Sequence, residues 1–273
     1  MLTLIFFCIF NFAAAADLTV GSYNIHQQGD MPGLALDFAQ LKTIDVLALQ
    51  EVQMDDGAGL VFSQSLLPLL KSSANYQWNF HCAQRVNQNS DGTWESLAIF
   101  SRYPLLKCGA LPLEHSDIKN REAQWAVVQI PDARPLLVIN TDHETSSYLT
   151  LGFPDRKKQL QSLVKHLKTC AQWLEPGCET WPTVITGDFN TSGVSLSSPL
   201  ATLNEIKQTV SLLQTAHLEY VVPCPEHEPT FQSLWGSYQL DHIFIKNLRS
   251  SCRLSLKNRQ GSDHLPIWSK LNQ

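Results

Sequence analysis

Glu51, Asp188, Asp241 and Asp263 are carboxylates that close, or stand beside, runs of β-forming residues, and Asn24, Asn190, His143 and His264 accompany them in the same short segments. Those segments are Tyr23-Asn24, Gln50-Glu51, Asp142-His143, Gly187-Asp188-Phe189-Asn190, and Asp241 together with Asp263-His264. Side chains of a strand alternate between faces, so Asp188 and Asn190, two residues apart, project to one side and can address a single metal-bound water. Any one segment has an ordinary explanation, because a strand-end Asn or Asp is a common turn former and a lone His is commonly a hydrogen-bonded structural residue. Five in one chain describe a site. Water attack on a phosphodiester needs a cation on the nonbridging oxygens, a deprotonated water in line with the leaving oxygen, and a proton or metal for that oxygen. Carboxylates and amides offer the hard oxygens that Mg²⁺ prefers, and imidazole titrates near neutrality.

Strands must carry these groups to one place. Alternation and β-branched content predict strands at Leu18–Ile25, Val46–Gln50, Tyr76–Cys82, Glu95–Ser101, Thr183–Thr186, Gln239–Lys246, Ser251–Leu256 and Leu265–Lys270, and a hairpin of Ala123–Ile130 with Pro135–Asn140 around Pro131-Asp132. Helical spacing covers residues 33–42, Gly59–Lys71, Pro154–Trp173 and Pro199–Leu213. Several consecutive strands have no helix between them. That favours an α/β (α+β) four-layer sandwich, two packed mixed β-sheets flanked by helices, over a doubly wound parallel sheet.

The apolar run Leu2–Phe12 followed by Ala13-Ala14-Ala15-Ala16 reads as a cleaved export signal over residues 1–16, leaving residues 17–273 as one domain. The run is too short to span a bilayer, and nothing later resembles a transmembrane helix. With 44% apolar and 16% charged residues the chain can bury a large core. A formal net charge of −5 excludes a broadly basic surface, so a nucleic-acid substrate has to be held by a local patch. Six cysteines lie beyond the signal, of which Cys170 and Cys178 close a short loop and are the expected pair; the other four are either bridged or free.

These motifs resemble the endonuclease/exonuclease/phosphatase superfamily, and the resemblance covers almost the whole mature chain. Ser22-Tyr23-Asn24 looks like the family's first-strand asparagine, and Leu49-Gln50-Glu51-Val52 like its metal-binding glutamate motif. Glu95 is similar in place to the acid that pairs with the first catalytic histidine of deoxyribonuclease I-like members, and Asn140-Thr141-Asp142-His143 would carry that histidine as His143. There the family more often has Thr-His or Leu-His. Gly187-Asp188-Phe189-Asn190, Leu240-Asp241-His242-Ile243-Phe244 and Ser262-Asp263-His264-Leu265-Pro266 match closely.

The resemblance implies that Glu51, Asn24 and Asp263 hold Mg²⁺, with Mn²⁺ or Ca²⁺ as substitutes, and that His264, oriented by Asp241, takes the proton from water. Asp188 and Asn190 would position that water, and His143 paired with Glu95 would serve the phosphate or the leaving group. Arg102 and Arg121 are candidates for phosphate contact or for ordinary surface ion pairs. The implied function is a divalent-metal-dependent phosphodiester hydrolase, secreted or periplasmic and monomeric, led by a deoxyribonuclease I-like endonuclease. A sphingomyelinase or phosphoinositide phosphatase is the alternative, since the same residues serve many substrates on one fold. Tyr148–Pro154, apolar and just before Arg156-Lys157-Lys158, suits a lipid interface with basic residues meeting headgroups, and equally the core or stacking on bases; Trp235 and Tyr238 leave the same readings open. A catalytically silent binding protein on the same fold is the reading of a different class, and the presence of the full residue set stands against it.

Overall fold

In the computed structural model, strand after strand changes from apolar to polar along the face that looks into the interior. The structure describes residues 17–55, 66, 68, 70, 78–114, 120–144, 153–191, 205–225, 228–233, 236–258 and 260–273. Numbered in chain order, the first sheet contains β1 (Leu18–Asn24), β2 (Val46–Met54), β3 (Phe80–Gln88), β4 (Trp94–Ser101), β13 (Arg249–Ser250), β14 (Leu254–Ser255) and β15 (Ile267–Asn272). Its order is β13-β15-β1-β2-β4-β3, with β14 also paired to β15. The second sheet contains β5 (Leu105–Pro112), β6 (Glu122–Val128), β7 (Leu136–Asp142), β8 (Thr183–Asp188), β9 (Glu219–Tyr220) and β12 (Asp241–Lys246), in the order β5-β6-β7-β8-β12-β9. Both sheets are mixed: β1 runs parallel to β2 and β7 parallel to β8, and the other neighbours are antiparallel. A short hairpin, β10 (Phe231–Ser233) and β11 (Gly236–Tyr238), stands apart.

The sheets stack face to face around Leu18, Val20, Val46, Ile99, Ala126, Val128, Leu136, Val138, Val184, Ile243 and Ile245. Helix α1 (Met31–Gln40) covers the outer face of the first sheet through Leu34 and Phe38. Helices α2 (Phe153–Lys168) and α3 (Glu205–Gln214) cover the second through Leu160, Leu163, Leu167 and Leu213. The expected four layers are therefore present. The expected hairpin forms between β6 and β7, and the expected helices at 33–42 and Pro154–Trp173 appear as α1 and α2 with shifted ends. Most of Gly59–Lys71 and the first part of Pro199–Leu213 lie outside the described residues, as does the export signal.

Strand β5 had no counterpart in the sequence reading. It is an edge strand with Lys107 and Cys108 exposed and Gly109 at its middle, so it lacks the apolar alternation that marks the inner strands. The third strand starts later than expected and runs on through Gln84, Arg85 and Asn87, again at an edge where polar residues are tolerated. Cys170–Cys178 form the expected disulfide, and Cys224–Cys252 form a second.

Candidate active site

The period of two assembles the site. On the inner face β1 reads Leu18, Val20, Ser22, Asn24; β7 reads Leu136, Val138, Asn140, Asp142; β8 reads Val184, Thr186, Asp188; and β12, running the other way, begins on Asp241. Each passes from apolar to polar at the same end of the sandwich. Below the site a buried amide relay ties the two sheets: Gln50 Nε2 donates to Asn140 Oδ1 at 2.6 Å and to Ser22 Oγ at 3.0 Å, and Asn140 Nδ2 donates to the Leu49 carbonyl at 2.8 Å. Such a fully satisfied polar layer fixes the register in which the functional groups meet.

Asp188 is the centre of the arrangement. Asn24 Nδ2 donates to Asp188 Oδ2 at 3.2 Å and to Glu51 Oε1 at 3.0 Å, bridging the two carboxylates. His264 Nε2 lies 3.6 Å from Asp188 Oδ2, and His264 Nδ1 is hydrogen-bonded to Asp241 Oδ2 at 2.8 Å. The register Asp241↔Asp188 places the two acids on adjacent antiparallel strands. Asn190 is held by its own N–H to Asp188 Oδ1 at 2.8 Å and by Nδ2 to the His143 carbonyl at 2.9 Å. Gly187 before them has φ +145°, and a Cβ there would lie 1.9 Å from the Thr141 carbonyl oxygen, so only glycine lets β7 and β8 close this tightly. Asn24, Glu51, Asp188, Asn190, Asp241 and His264 are thus brought together as the sequence suggested.

Glu51 reaches the site through a β-bulge. Gln50 and Glu51 stand against β4 where the register shifts between Leu49 and Val52, and Glu51 has φ +51°. Bulges re-aim a side chain at the cost of a strained backbone, a cost that recurs at functional positions. Asp263 joins through His26, whose Nδ1 is 3.4 Å from Asp263 Oδ1 and 3.9 Å from Glu51 Oε2. Two carboxylates facing one imidazole, with a third carboxylate one amide away, form an oxygen-rich set of the kind that suits a hard divalent cation. His26, absent from the sequence reading, was detectable only as a histidine two residues past Asn24.

The final loop is fixed from behind. Asp37 of α1, fully buried, accepts from Tyr23 Oη at 2.6 Å and from the Gly261 N–H at 2.8 Å. Ser262 Oγ then donates to the Asn24 carbonyl at 2.7 Å and accepts from the His264 N–H at 3.1 Å. Thr230 holds the other side: its hydroxyl oxygen accepts from the Leu240 and Asp241 N–H groups at 3.0 and 3.1 Å, and its carbonyl accepts from Leu265 at 2.6 Å. Thr230 therefore sets the Asp241–His264 spacing, and no motif announced it.

The structure places His143, Glu95, Arg121 and Arg102 away from the roles of a phosphate-handling group. His143 does not enter the site: Asp142 takes the inner face of β7, so the residue after it points outward, where its ring packs on Phe189 at 5.1 Å. Both His143 ring nitrogens are buried without a hydrogen-bond partner among the described residues. Burial, with Arg121 and Arg156 adding to it, lowers its pKa to about 3. Glu95 pairs instead with Arg121 at 3.4 Å. Arg121 is no surface cation; it is 2% exposed and enclosed by Asp142 at 2.8 Å, Glu95 and Glu144. Arg102 lies at the far end of the sandwich, paired with Asp45 at 3.1 Å where β2 begins.

Charge at the site is strongly coupled. Burial opposes protonation of His264, but Asp241 and Asp188 outweigh it and raise its pKa to about 10. Burial raises Asp188 to about 7, partly offset by His264. Burial also holds the Asp142 carboxyl well above the usual carboxylate range, against the pull of Arg121. The ligand atoms of Asp188, Asp241 and His264 lie within 4.8 Å of one another.

Residues 21–264 match the endonuclease/exonuclease/phosphatase family. The chain belongs to that family. Its members are hydrolases of phosphoester bonds. Among solved structures, the chain is similar to an endonuclease/exonuclease/phosphatase from Beutenbergia cavernae, at 20% identity and a TM-score of 0.73 over 94% of this chain and 71% of that one. It is also similar to D. rerio TDP2 complexed with a single-strand DNA product, at 16% identity and a TM-score of 0.65 over 94% and 100% of the two chains. Beta toxin from Staphylococcus aureus shares 17% identity with a TM-score of 0.64, over 92% and 99%. No curated protein matches the chain by sequence. Among the described residues no helix is long and apolar enough to cross a membrane.

Proposed function

We propose that this chain is an exported, Mg²⁺-dependent phosphodiester hydrolase, and that it cuts DNA internally in the manner of a deoxyribonuclease I-like endonuclease. The observation that carries the reaction is the unbroken line Glu51–Asn24–Asp188–His264–Asp241, in which a metal-holding acid, a bridging amide and an acid–imidazole–acid set share one buried strand-end cluster. Magnesium, held by Glu51 and Asp263, would neutralise the nonbridging oxygens and acidify water. Asp188 receives the proton, and His264, 3.6 Å away and kept charged and aimed by Asp241, stabilises the developing negative charge. Asn190, pinned beside Asp188, orients the nucleophile. The buried Arg121–Asp142 pair supplies a rigid wall to the same cavity end rather than a phosphate grip.

DNA as the substrate is supported by the fold shared with a structure that holds a single-strand DNA product. Export, and residues 17–273 as the mature domain, are supported by the apolar N-terminal run ending in small residues and by two disulfides, which persist in oxidising compartments. The test is a parallel assay on plasmid DNA, RNA, sphingomyelin and phosphoinositides, with Mg²⁺ and with chelator. Metal-dependent nicking of plasmid is expected. Turnover of a lipid alone replaces the nuclease reading with a sphingomyelinase or phosphatase, and turnover of nothing, by protein that binds one of the four, leaves a silent binding protein.

A further inference from the structure

Two cysteines outside the active site face each other across the sandwich. Cys82 on β3 pairs with Ile99, and Cys108 on β5 pairs with Ala126; both partners belong to the core between the sheets, and directly paired residues share a face. Both thiols therefore point into the inter-sheet space. Strands β3 and β5 are the edge strands of their sheets on the same side of the molecule, and their Cα atoms come within 8 Å of each other. The two thiols are near enough to shift each other's titration, and Gln124 Nε2 approaches Cys82 Sγ at 3.5 Å. Cys82 is buried and Cys108 exposed.

The opposite edge shows what such a pair does. Cys224 follows β9, the far edge of the second sheet, and Cys252 lies between β13 and β14 at the far edge of the first; their disulfide, with Cα atoms 5.7 Å apart, joins the sheets there. Together with Cys170–Cys178 this accounts for four of the six cysteines beyond the N-terminal run. We propose that Cys82 and Cys108 form a third disulfide, which staples the second edge of the sandwich so that both edges are covalently closed.

The chemistry is thiol–disulfide exchange with a small disulfide oxidant. The exposed Cys108 thiolate attacks the oxidant RSSR, forming Cys108–S–SR and releasing RS⁻. Cys82 then loses its proton and attacks Cys108 Sγ, forming the protein disulfide and expelling a second RS⁻. The two thiols are oxidised, RSSR is reduced to two RSH, and the two thiol protons end on those products. The neighbouring Cys82 thiol brings Cys108 down to about 7, which keeps its thiolate populated for the first attack.

The staple is independent of the proposed activity. The full chain, with its two existing disulfides intact, is treated with oxidised glutathione, alkylated, and digested without reduction. Mass spectrometry is expected to find the Cys82 peptide joined to the Cys108 peptide, and Tm to rise by roughly 5–10 °C over the form in which only these two are reduced. Recovery of both cysteines alkylated, or of Cys108 stalled as a glutathione adduct, overturns the proposal. A Cys108→Ser variant, which leaves hydrolysis unchanged, is expected to lose the oxidant-dependent rise in Tm; an undiminished rise in it also overturns the proposal.

Discussion

His264 and His143 are both fully buried at the same end of the sandwich, each next to an aspartate in sequence, yet they occupy opposite electrical worlds. His264 stands between Asp241 and Asp188, which raise its pKa to about 10. His143 is on the outer side of β7 against Phe189, and burial lowers its pKa to about 3. The difference comes from the parity of a strand. Asn140 and Asp142 share the inner face, so a residue at 143 belongs to the other side, and the inner face there carries a carboxylate held by Arg121.

Breaking the comparison at His264 has the largest expected effect. His264→Ala should lower the rate of phosphodiester cleavage by roughly 10² to 10⁴-fold with the fold retained, read by steady-state kinetics and circular dichroism. Near-normal turnover would remove this residue from the chemistry. Next comes the cation beside Asp142: Arg121→Leu leaves Asp142, Glu95 and Glu144 without their buried cation and should cost about 3–5 kcal/mol in urea unfolding. A surface-like loss below about 1 kcal/mol would contradict the enclosure described.

Glu51→Gln sharpens the metal side of the comparison, and should move the midpoint of the Mg²⁺ titration of the rate upward by roughly tenfold or more. An unmoved midpoint would exclude Glu51 as a ligand. The smallest effect is assigned to His143→Phe, which keeps the ring packing on Phe189 and should change turnover less than about threefold, a shift that separates a packing residue from an acid–base one.

The same two residues give opposite pH slopes in chelated protein. A group whose folded pKa is raised favours folding below its unfolded value, so the His264 contribution is complete below pH 6.5 and is lost as pH rises through about 10. A buried neutral imidazole acts the other way: the unfolded chain takes a proton that folded His143 refuses, so stability falls as pH drops from 6.5 toward about 3. In His143→Phe that acid-side loss should shrink, and in His264→Ala the alkaline-side loss should shrink.

Much of the site was legible because it is written at strand ends. Asp188 and Asn190 fall where a β-forming run stops, Asp241 and His264 where one begins, and the period of two carries Asp188 and Asp241 inward. The same rule applied to Asn140-Thr141-Asp142-His143 already places Asp142 inward, but the motif drew attention to the histidine instead. Thr230 was invisible because it acts through its hydroxyl and carbonyl on residues that neighbour it only in space. The sequence leaves Arg121 as a phosphate contact or a surface ion pair because a lone arginine carries no mark of the three acids that enclose it. The edge strand β5 and the Cys224–Cys252 bridge likewise depend on which edges meet, information that alternation and cysteine spacing do not contain.

The account stands or falls on one cation among converging strand ends. Crystals grown with Mn²⁺ in place of Mg²⁺ and measured for anomalous scattering should show a peak in coordination contact with a Glu51 carboxylate oxygen, on the same side as Asp263 and within reach of Asp188. Manganese bound elsewhere, with these carboxylates left unligated at saturating metal, would contradict it.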